Sequence, residues 1–286
     1  MNNSTPKKQT IGILGYGEIG KAMAKIGKEA NYDIFVREVD YDQIQKNKID
    51  YLHINIPEIN PDSFINIITK NILDIKPRLV IINSTTTTGT TRKIYEATNV
   101  PIVHSPIQGT HSDLYNSIKN YFPKIVGPID LLSLKMAKKH FKDLKLKMEI
   151  FDSAEDSESA KLLDLTYYAW NIIFCKWVSE ICEKLGLNFD QVYTKYNLIY
   201  NQGYSKIMPG VHNVTSYKGY RKSLPKVIRP ILLPIKGPIS GHCTIPDVIM
   251  FDKLINNDFT KFILKENQRY TTEINKEKIK KPSKKR

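Results

Sequence analysis

The sequence predicts an α/β fold in which a doubly wound parallel sheet is followed by an all-helical second domain. Short β-branched runs alternate with amphipathic stretches over about the first 150 residues, and strands separated by such helices pair in parallel through right-handed crossovers. A glycine-rich turn joins the first run to the first amphipathic stretch. After about residue 158 the apolar residues recur at three- and four-residue spacing, which is typical of long helices.

Each element of the first part follows from its local pattern. Strands are predicted at the short apolar runs Thr10–Leu14, Ile34–Glu38, Tyr51–Ile56, Leu79–Asn83, Pro101–His104, Lys124–Val126 and Lys147–Phe151. Helices are predicted where apolar residues return to one face, at Glu18–Ala30, Asp62–Ile75, Thr90–Ala97 and Ile129–Phe141.

The second part begins after a short acidic break at Asp152–Ser157. The segment Tyr200–Gly241 is rich in Gly, Pro, Tyr and Lys, which predicts long, site-forming loops. Helices are predicted on either side of it, over Glu158–Leu185, from Asp190 to Tyr196 and beyond, and from Asp247 to about Thr272.

Composition narrows the class of protein. Of the 286 residues, 41% are apolar and 25% are charged, which excludes wholesale disorder. No apolar run approaches the ~18 residues of a membrane span, and no secretion signal follows the polar start. The cysteines Cys175, Cys182 and Cys243 show no paired spacing. These features predict a soluble, cytoplasmic protein with reduced thiols.

The net charge of +14 is unevenly distributed. Between Gln191 and Pro246 there is no Asp or Glu but there are eight basic residues, Arg221 and Lys222 among them. This segment predicts either a site for an anionic, phosphate-bearing ligand or a merely basic surface. The last eleven residues, Lys276–Arg286, carry a further +6 and are predicted as a disordered tail. We expect a small anionic ligand as partner, and neither nucleic acid nor a membrane.

The glycine-rich turn has a pattern that suits a dinucleotide. Gly15-Tyr16-Gly17-Glu18-Ile19-Gly20 reads G-x-G-x-x-G, directly after a strand and at the start of a helix. The first glycine permits the tight turn, the second lets a pyrophosphate approach the helix N-terminus, and the third allows close helix–strand packing. All six residues are therefore predicted to bind the cofactor in a Rossmann-type domain.

The end of the second predicted strand bears on which dinucleotide binds. Glu38 can accept hydrogen bonds from the adenosine ribose, and Asp40 is the alternative in a shifted register. An acid at this place favours NAD over NADP, whereas the neighbouring Arg37 weakens that preference. The predicted cofactor is NAD, and no metal is expected.

A hydroxyl-rich segment follows the fourth predicted strand. Ser84-Thr85-Thr86-Thr87-Thr88-Gly89-Thr90-Thr91 lies where the strand order of such a sheet reverses. At that point hydroxyls and backbone amides lie near the cofactor, and Ser84 and Thr85 are the predicted contacts. Ordinary capping of the following helix is the alternative.

Four segments, in order along the chain, resemble motifs of the UDP-glucose/GDP-mannose dehydrogenase family. They are Ser84-Thr85 with Gly89-Thr90-Thr91, the stretch Glu158-Ser159-Ala160-Lys161-Leu162, the helix from Tyr167 to Cys182-Glu183-Lys184-Leu185-Gly186, and Ser240-Gly241-His242-Cys243-Thr244-Ile245-Pro246-Asp247.

The resemblance implies an NAD-dependent, four-electron oxidation of a nucleotide sugar's primary alcohol to a carboxylate. Cys243 would be the nucleophile that forms a thiohemiacetal and then a thioester. Lys161 would stabilise oxyanions and contact the substrate, and Asp247 would organise the attacking water. Gly241 would bind the substrate, and the basic pair Arg221 and Lys222 is predicted to do so from the charge of the acid-free segment.

The resemblance also implies the domain organisation. Residues 1–151 would form the NAD-binding domain, residues 152–275 a helical domain for substrate binding and dimerisation through its long helix, and residues 276–286 the basic tail. Full-length family members continue into a third, nucleotide-binding domain, so the chain reads as a short member of the family.

Two departures leave alternative functions open. Leu165 stands where the family has Asn, and the Lys-rich tail lies where the resemblance would place the start of the third domain. One alternative is a two-electron dehydrogenase of β-hydroxyacids or sugar phosphates, in which Lys161 alone transfers protons and Cys243 has no role. The other is a homologue that binds NAD but does not turn over.

Overall fold

The computed structural model describes residues 8–207, 229–241 and 243–280. Its internal contacts divide the chain into two compact units, Met1–Asp164 and Leu165–Arg286, and the division falls inside a long helix. The domain boundary at residue 151 therefore stays a prediction. Arg221, Lys222 and His242 lie outside the described residues.

The first unit is a sheet with helices on both faces. Its strands are β1 (Thr10–Leu14), β2 (Asp33–Glu38), β3 (Tyr41–Asp42), β4 (Tyr51–Ile54), β5 (Leu79–Ile82), β6 (Ile102–His104), β7 (Lys124–Pro128) and β8 (Met148–Ile150). Its helices are α1 (Glu18–Glu29), α2 (Pro61–Ile75), α3 (Thr90–Thr98), the single turn α4 (Leu114–Asn116) and α5 (Leu131–Asp143).

The strand order is β3-β2-β1-β4-β5-β6-β7-β8. The chain moves outward from β1 to β2 in one direction and from β1 to β4 in the other, so the order reverses between β1 and β4. The pairs β1–β2, β1–β4, β4–β5, β5–β6 and β7–β8 are parallel. The predicted doubly wound α/β fold is confirmed.

The prediction of parallel pairing throughout is wrong at β7, which runs antiparallel to β6 with Val103 opposite Pro128. The connection between these strands holds only short helical turns, at His111–Asp113, α4 and Ser117–Tyr121. Because no long helix carries the chain back across the sheet, β7 starts at the edge where β6 ends and runs the other way. The two-residue strand β3 pairs antiparallel with β2 and was not predicted.

Alternation along the strands builds a core on each face of the sheet. In β5, Leu79 and Ile81 point to the cluster that contains Phe141 of α5. Val80 and Ile82 point to the opposite cluster, which contains Phe64 of α2. All four β5 side chains are fully buried, which explains why this strand reads as a continuous apolar run.

Local signals determine where several helices begin. The side chain of Asn60 accepts a hydrogen bond from Ser63 N at the start of α2 (2.9 Å), and that of Asp130 accepts one from Ser133 N at the start of α5 (2.7 Å). The long helix α6 (Ala154–Leu185) begins four residues before the predicted position. Its first turn is capped by Ser153, whose Oγ accepts from Asp156 N at 3.0 Å.

The second unit contains the rest of α6, then α7 (Tyr196–Ile207), α8 (Thr244–Ile255) and α9 (Asp258–Lys280). Its described residues include no strand, which agrees with the all-helical prediction. The loop prediction is wrong over 200–207, because a π-helical turn at Asp190–Lys195 continues directly into α7. The predicted single C-terminal helix is two helices, since Asn256 takes a left-handed conformation (φ 46°) that ends α8.

Helix α9 continues to Lys280, so residues 276–280 of the predicted tail are helical. Among the described residues, no helix is both long enough and apolar enough to cross a membrane.

Candidate functional site

The turn between β1 and α1 is built so that only glycine fits at two of its positions. Gly15 has φ +88°, and its N–H donates to Arg37 O at 3.0 Å. A Cβ on Gly20 would lie 2.1 Å from Gly15 O, so the glycine allows α1 to approach the strand closely. Gly17 differs from both, because a Cβ there would meet no described atom within 4 Å.

The N-terminus of α1 therefore opens onto free space. Gly17 is the N-cap residue, and no described side chain caps the helix. The first N–H groups of a helix lack intrahelical partners and carry the positive end of its dipole. This arrangement suits a pyrophosphate, which can reach the backbone only where no Cβ stands in the way.

Glu38, the last residue of β2, lies beside the same turn. Its Oε2 accepts a hydrogen bond from Tyr16 N at 2.5 Å, and its Oε1 accepts one from Val39 N at 3.2 Å. The carboxylate is thus held next to the turn and remains exposed. Glu18, the first residue of α1, pairs with His111 Nδ1, while Ile19 packs against the core beneath the turn.

The guanidinium of Arg37 is already bound by three side chains. Its Nε donates to Asp42 Oδ2 at 2.9 Å, its Nη1 donates to Asn71 Oδ1 at 2.7 Å, and its Nη2 lies 3.3 Å from Asp74 Oδ2. The carboxylates of Asp42 and Asp74 therefore neutralise Arg37, the basic residue next to Glu38 in the sequence. Asp40, the alternative acid, is exposed in the turn between β2 and β3.

The hydroxyl-rich segment 84–91 follows β5, at the carboxyl edge of the sheet. Ser84 is buried, and its Oγ donates to Ile56 O at 2.5 Å. The threonine hydroxyls of 86, 87, 88, 90 and 91 are bound to partners from two other segments, namely Glu58, Glu158 and Ser159. Within the described residues, the Thr85 hydroxyl is the one in this segment without a partner, so it is the hydroxyl available to a ligand.

Two buried carboxylates hold this segment, and the sequence reasoning missed both roles. Glu58 accepts hydrogen bonds from Thr87 N at 3.0 Å, from the Thr87 hydroxyl and from Thr90 Oγ1 at 3.0 Å. Glu158, which is fully buried, accepts from Gly89 N at 2.6 Å and from Thr91 N at 2.9 Å. For Glu158 the sequence did hold an indication, because the residue belongs to the motif around Lys161. Spacing alone, however, does not show which groups a carboxylate contacts.

Burial raises the pKa of Glu158 to about 7, because desolvation disfavours the charged form. The four hydrogen bonds that it accepts from Thr86, Gly89 and Thr91 favour the ionised form and oppose that rise. Lys161 lies one helical turn further along α6. Its side chain is 13% exposed, and its Nζ lies 3.9 Å from Asp164 Oδ2.

A buried lysine lies at the same edge of the sheet and was also missed. Lys124 Nζ donates to Asn83 Oδ1 at 3.2 Å and to Ser105 O at 2.6 Å. The amide of Asn83 in turn contacts Asn55 Oδ1 (2.9 Å) and His53 Nδ1 (3.1 Å). Complete burial lowers the pKa of Lys124 to about 7. Lys124 reaches this edge because β7 is reversed, which sequence periodicity does not predict.

In the second unit, Cys243 and Asp247 lie one turn apart at the start of α8. Cys243 is the N-cap residue, is partly buried and forms no disulfide. Asp247 is buried, and its N–H donates to Cys243 O at 3.0 Å. Gly241 precedes them with φ +111°, a backbone conformation that favours glycine. The described residues contain no cluster of His, Cys, Asp and Glu side chains that could hold a metal ion.

Comparison with known proteins finds similarity to dehydrogenases. No protein-family model matches the chain. UDP-N-acetyl-D-mannosamine dehydrogenase of Methanococcus maripaludis is 31% identical over 113 residues, which are 38% of this chain and 26% of that protein. The matched stretch thus spans about a quarter of the curated relative's length.

Solved structures extend the similarity of fold to most of the chain. UDP-D-ManNAc dehydrogenase of Pyrococcus horikoshii has a TM-score of 0.69 at 17% identity, covering 92% of this chain and 69% of that one. The 3-hydroxyisobutyrate dehydrogenase of Mycobacterium tuberculosis has a TM-score of 0.64 at 14% identity, covering 93% and 94%.

The fold is thus similar to that of solved dehydrogenase structures, with a doubly wound sheet followed by helices. Within that class, the resemblance to the nucleotide-sugar dehydrogenase family, indicated by the four sequence motifs, is confirmed over part of those proteins' length.

Proposed function

We propose that the chain is an NAD-dependent dehydrogenase of the nucleotide-sugar type, an oxidoreductase that acts on CH–OH groups. The observation that carries this is the turn after β1, where an open Gly17 and the exposed carboxylate of Glu38 adjoin the place at which the strand order reverses. A pyrophosphate would lie on the N-terminus of α1 and the adenosine ribose on Glu38. Thr85 offers a hydroxyl at the same edge.

The preference is for NAD, because Glu38 would repel a 2′-phosphate. Arg37 does not offset this repulsion, since Asp42 and Asp74 already pair with it. NAD, when bound, would supply the acceptor for a hydride from the substrate carbon. The remaining steps are proposed for side chains of this chain.

Cys243 supports a covalent route to a carboxylate. The first oxidation turns the primary alcohol into an aldehyde, which cannot donate a second hydride as it stands. The thiolate of Cys243 would add to the carbonyl carbon and form a thiohemiacetal. Loss of its hydroxyl proton, and of a hydride for which a second NAD⁺ would be the acceptor, would leave a thioester. Water then cleaves the thioester, releasing the carboxylate and the thiol. The N-terminus of a helix favours an anion, which suits a thiolate at Cys243.

The other proposed residues act on charge and protons. The Lys161 ammonium would stabilise the oxyanion of each addition step, and Asp247, within one turn of Cys243, would orient the hydrolytic water. Gly241, Arg221 and Lys222 are proposed to bind the anionic nucleotide portion of the substrate. A homodimer and a cytoplasmic location remain predictions.

The number of NADH molecules formed per substrate tests this function. With UDP-sugars as substrates, the covalent route gives two NADH per sugar and no free aldehyde. Cys243→Ser should still bind NADH but stop at the aldehyde level, because an alkoxide is far less available than a thiolate near neutral pH. Cys182→Ser, at a buried cysteine in α6, is the matched control and should still give two NADH. One NADH per sugar with Cys243→Ser fully active would contradict the covalent route.

A second candidate is a two-electron dehydrogenase of β-hydroxyacids. It is favoured by the 3-hydroxyisobutyrate dehydrogenase structure, because the similarity of fold covers 94% of that chain. Here Lys161 transfers the proton and Cys243 takes no part. A panel of β-hydroxyacids giving one NADH each would select it, and intact NADH binding without turnover on either panel would select a non-catalytic homologue.

A further inference from the structure

The carboxylate of Glu158 joins two elements of the first unit that both carry proposed site residues. Glu158 lies in the second turn of α6, three residues before Lys161. Its partners belong to the segment that follows β5 and begins with Ser84 and Thr85. The side chain is fully buried, so each of these contacts forms out of water.

The contacts of Glu158 with that segment involve two backbone N–H groups and two threonine hydroxyls. Oε2 accepts from Gly89 N at 2.6 Å, and Oε1 accepts from Thr91 N at 2.9 Å, from Thr91 Oγ1 at 2.6 Å and from Thr86 Oγ1 at 3.2 Å. Gly89 has φ +92° and is the N-cap of α3, where a glycine has no side chain of its own to cap the helix. The carboxylate of Glu158 thus supplies the acceptors that a cap would supply.

The helix itself is held by other residues. Ser157 Oγ contacts His104 Nδ1 at 2.6 Å, and Ser153 caps the first turn. Glu155 pairs with Arg92 of α3 on the surface, where Arg92 Nη2 donates to Glu155 Oε2 at 3.2 Å. Because α6 has these anchors, the burial of a charged carboxylate at 158 needs a reason beyond attachment of the helix.

We propose that Glu158 is a positioning residue, which fixes the segment 84–91 in the conformation that offers Thr85 to the cofactor and keeps Lys161, one turn further along α6, at a set distance from that segment. This inference rests on the proposed function. The four hydrogen bonds that the carboxylate accepts hold Thr86, Gly89 and Thr91, so the segment after β5 is tied to α6 at three residues. Glu58 holds the intervening Thr87 and Thr90 in the same way.

The test compares Glu158→Gln with Glu155→Gln, which removes a surface carboxylate between the same two helices. In Glu158→Gln one carboxylate oxygen becomes an NH2 group that faces an N–H donor, so Gly89 N or Thr91 N loses its acceptor. We measure residue-resolved amide exchange of 84–91 and the affinity for NADH by fluorescence titration, at a fixed interval below each variant's Tm.

The expected result is faster exchange at Gly89 and Thr91 and NADH affinity weakened by about tenfold or more, with no change of either in Glu155→Gln. Thr86→Val removes the longest of the four contacts and keeps the side chain's shape. Thr86→Val should also speed amide exchange and weaken NADH affinity, each by a smaller factor. It replaces Glu158→Gln as the test if Glu158→Gln does not fold. A merely structural role would lower Tm and leave NADH affinity unchanged.

Unchanged NADH affinity in Glu158→Gln would overturn the inference, and so would unchanged affinity in Thr86→Val if Glu158→Gln does not fold. In either case the proposed function stands as long as the parent protein binds NADH. Unchanged exchange at Gly89 and Thr91 would overturn it as well. A parent protein that binds no NADH would overturn the proposed function, and the inference with it. Failure of the proposed function is therefore seen in the parent protein, whereas failure of the inference alone is seen only in the variants.

Discussion

Replacing Gly17 by valine separates binding of a dinucleotide from stability of the fold. The backbone at Gly17 has φ −66°, which any residue adopts, and a Cβ would meet no described atom within 4 Å. The replacement should therefore cost at most about 1 kcal/mol of unfolding free energy, the usual scale for changing an N-cap residue. The valine side chain would occupy the place where a pyrophosphate must approach, so NADH affinity should fall at least about tenfold, which is about 1.4 kcal/mol.

The assay is fluorescence titration of NADH together with a thermal unfolding curve. Gly20→Ala provides the contrast, because its Cβ would overlap Gly15 O at 2.1 Å and should destabilise the fold by about 1–3 kcal/mol or more. Gly203→Ala, in α7 with open space around its Cβ, should stabilise the helix by about 0.5–1 kcal/mol and leave NADH binding unchanged. If Gly17→Val bound NADH as well as the parent does, the assignment of this turn to a pyrophosphate would be refuted.

Three further outcomes are expected. Glu38→Gln should reduce the preference for NADH over NADPH. Combining it with Asp74→Asn should reduce the preference further, because Arg37 loses a carboxylate partner. An unchanged ratio of NADH to NADPH affinity in fluorescence titrations would contradict both expectations. The pKa of Lys124 is about 7 in the folded protein and 10.5 in the unfolded chain, so between pH 7 and pH 10.5 the unfolded chain binds more protons. The free energy of unfolding should therefore rise with pH across this range, by at most about 1.4 kcal/mol per pH unit. Denaturant unfolding at several pH values should show that this rise disappears in Lys124→Met and remains in the control Lys147→Met, at an exposed lysine. Equal slopes of unfolding free energy against pH in the two variants would refute this prediction. Asn60→Ala should cost about 0.5–2 kcal/mol by uncapping α2, as urea unfolding will measure, and no loss would show that the cap is dispensable.

Much of the first unit could be read from the chain because its signals are local. The buried run of β5, the apolar faces of α1 and α2, and the glycines at 15, 17 and 20 each follow from neighbours within a few residues. The positions of Glu38 beside the turn and of the segment 84–91 at the carboxyl edge follow from the connectivity that those elements imply.

Two failures in the first unit concern contacts between distant segments. The reversal of β7 was not predicted, because it depends on what the connection after His104 does and not on the apolar residues of the strand itself. For the same reason Lys124 reads as an ordinary basic residue, although it is fully buried.

By itself the sequence determined the α/β class, the dinucleotide turn and the order of the motifs, since hydrophobic periodicity and glycine sterics act over short stretches of chain. Only the tertiary structure decided which groups bind the threonine hydroxyls, and it chose carboxylates 29 and 67 residues away, on Glu58 and Glu158. The physical reason is that a buried carboxylate must find donors wherever the fold brings them, and no local pattern records that partner.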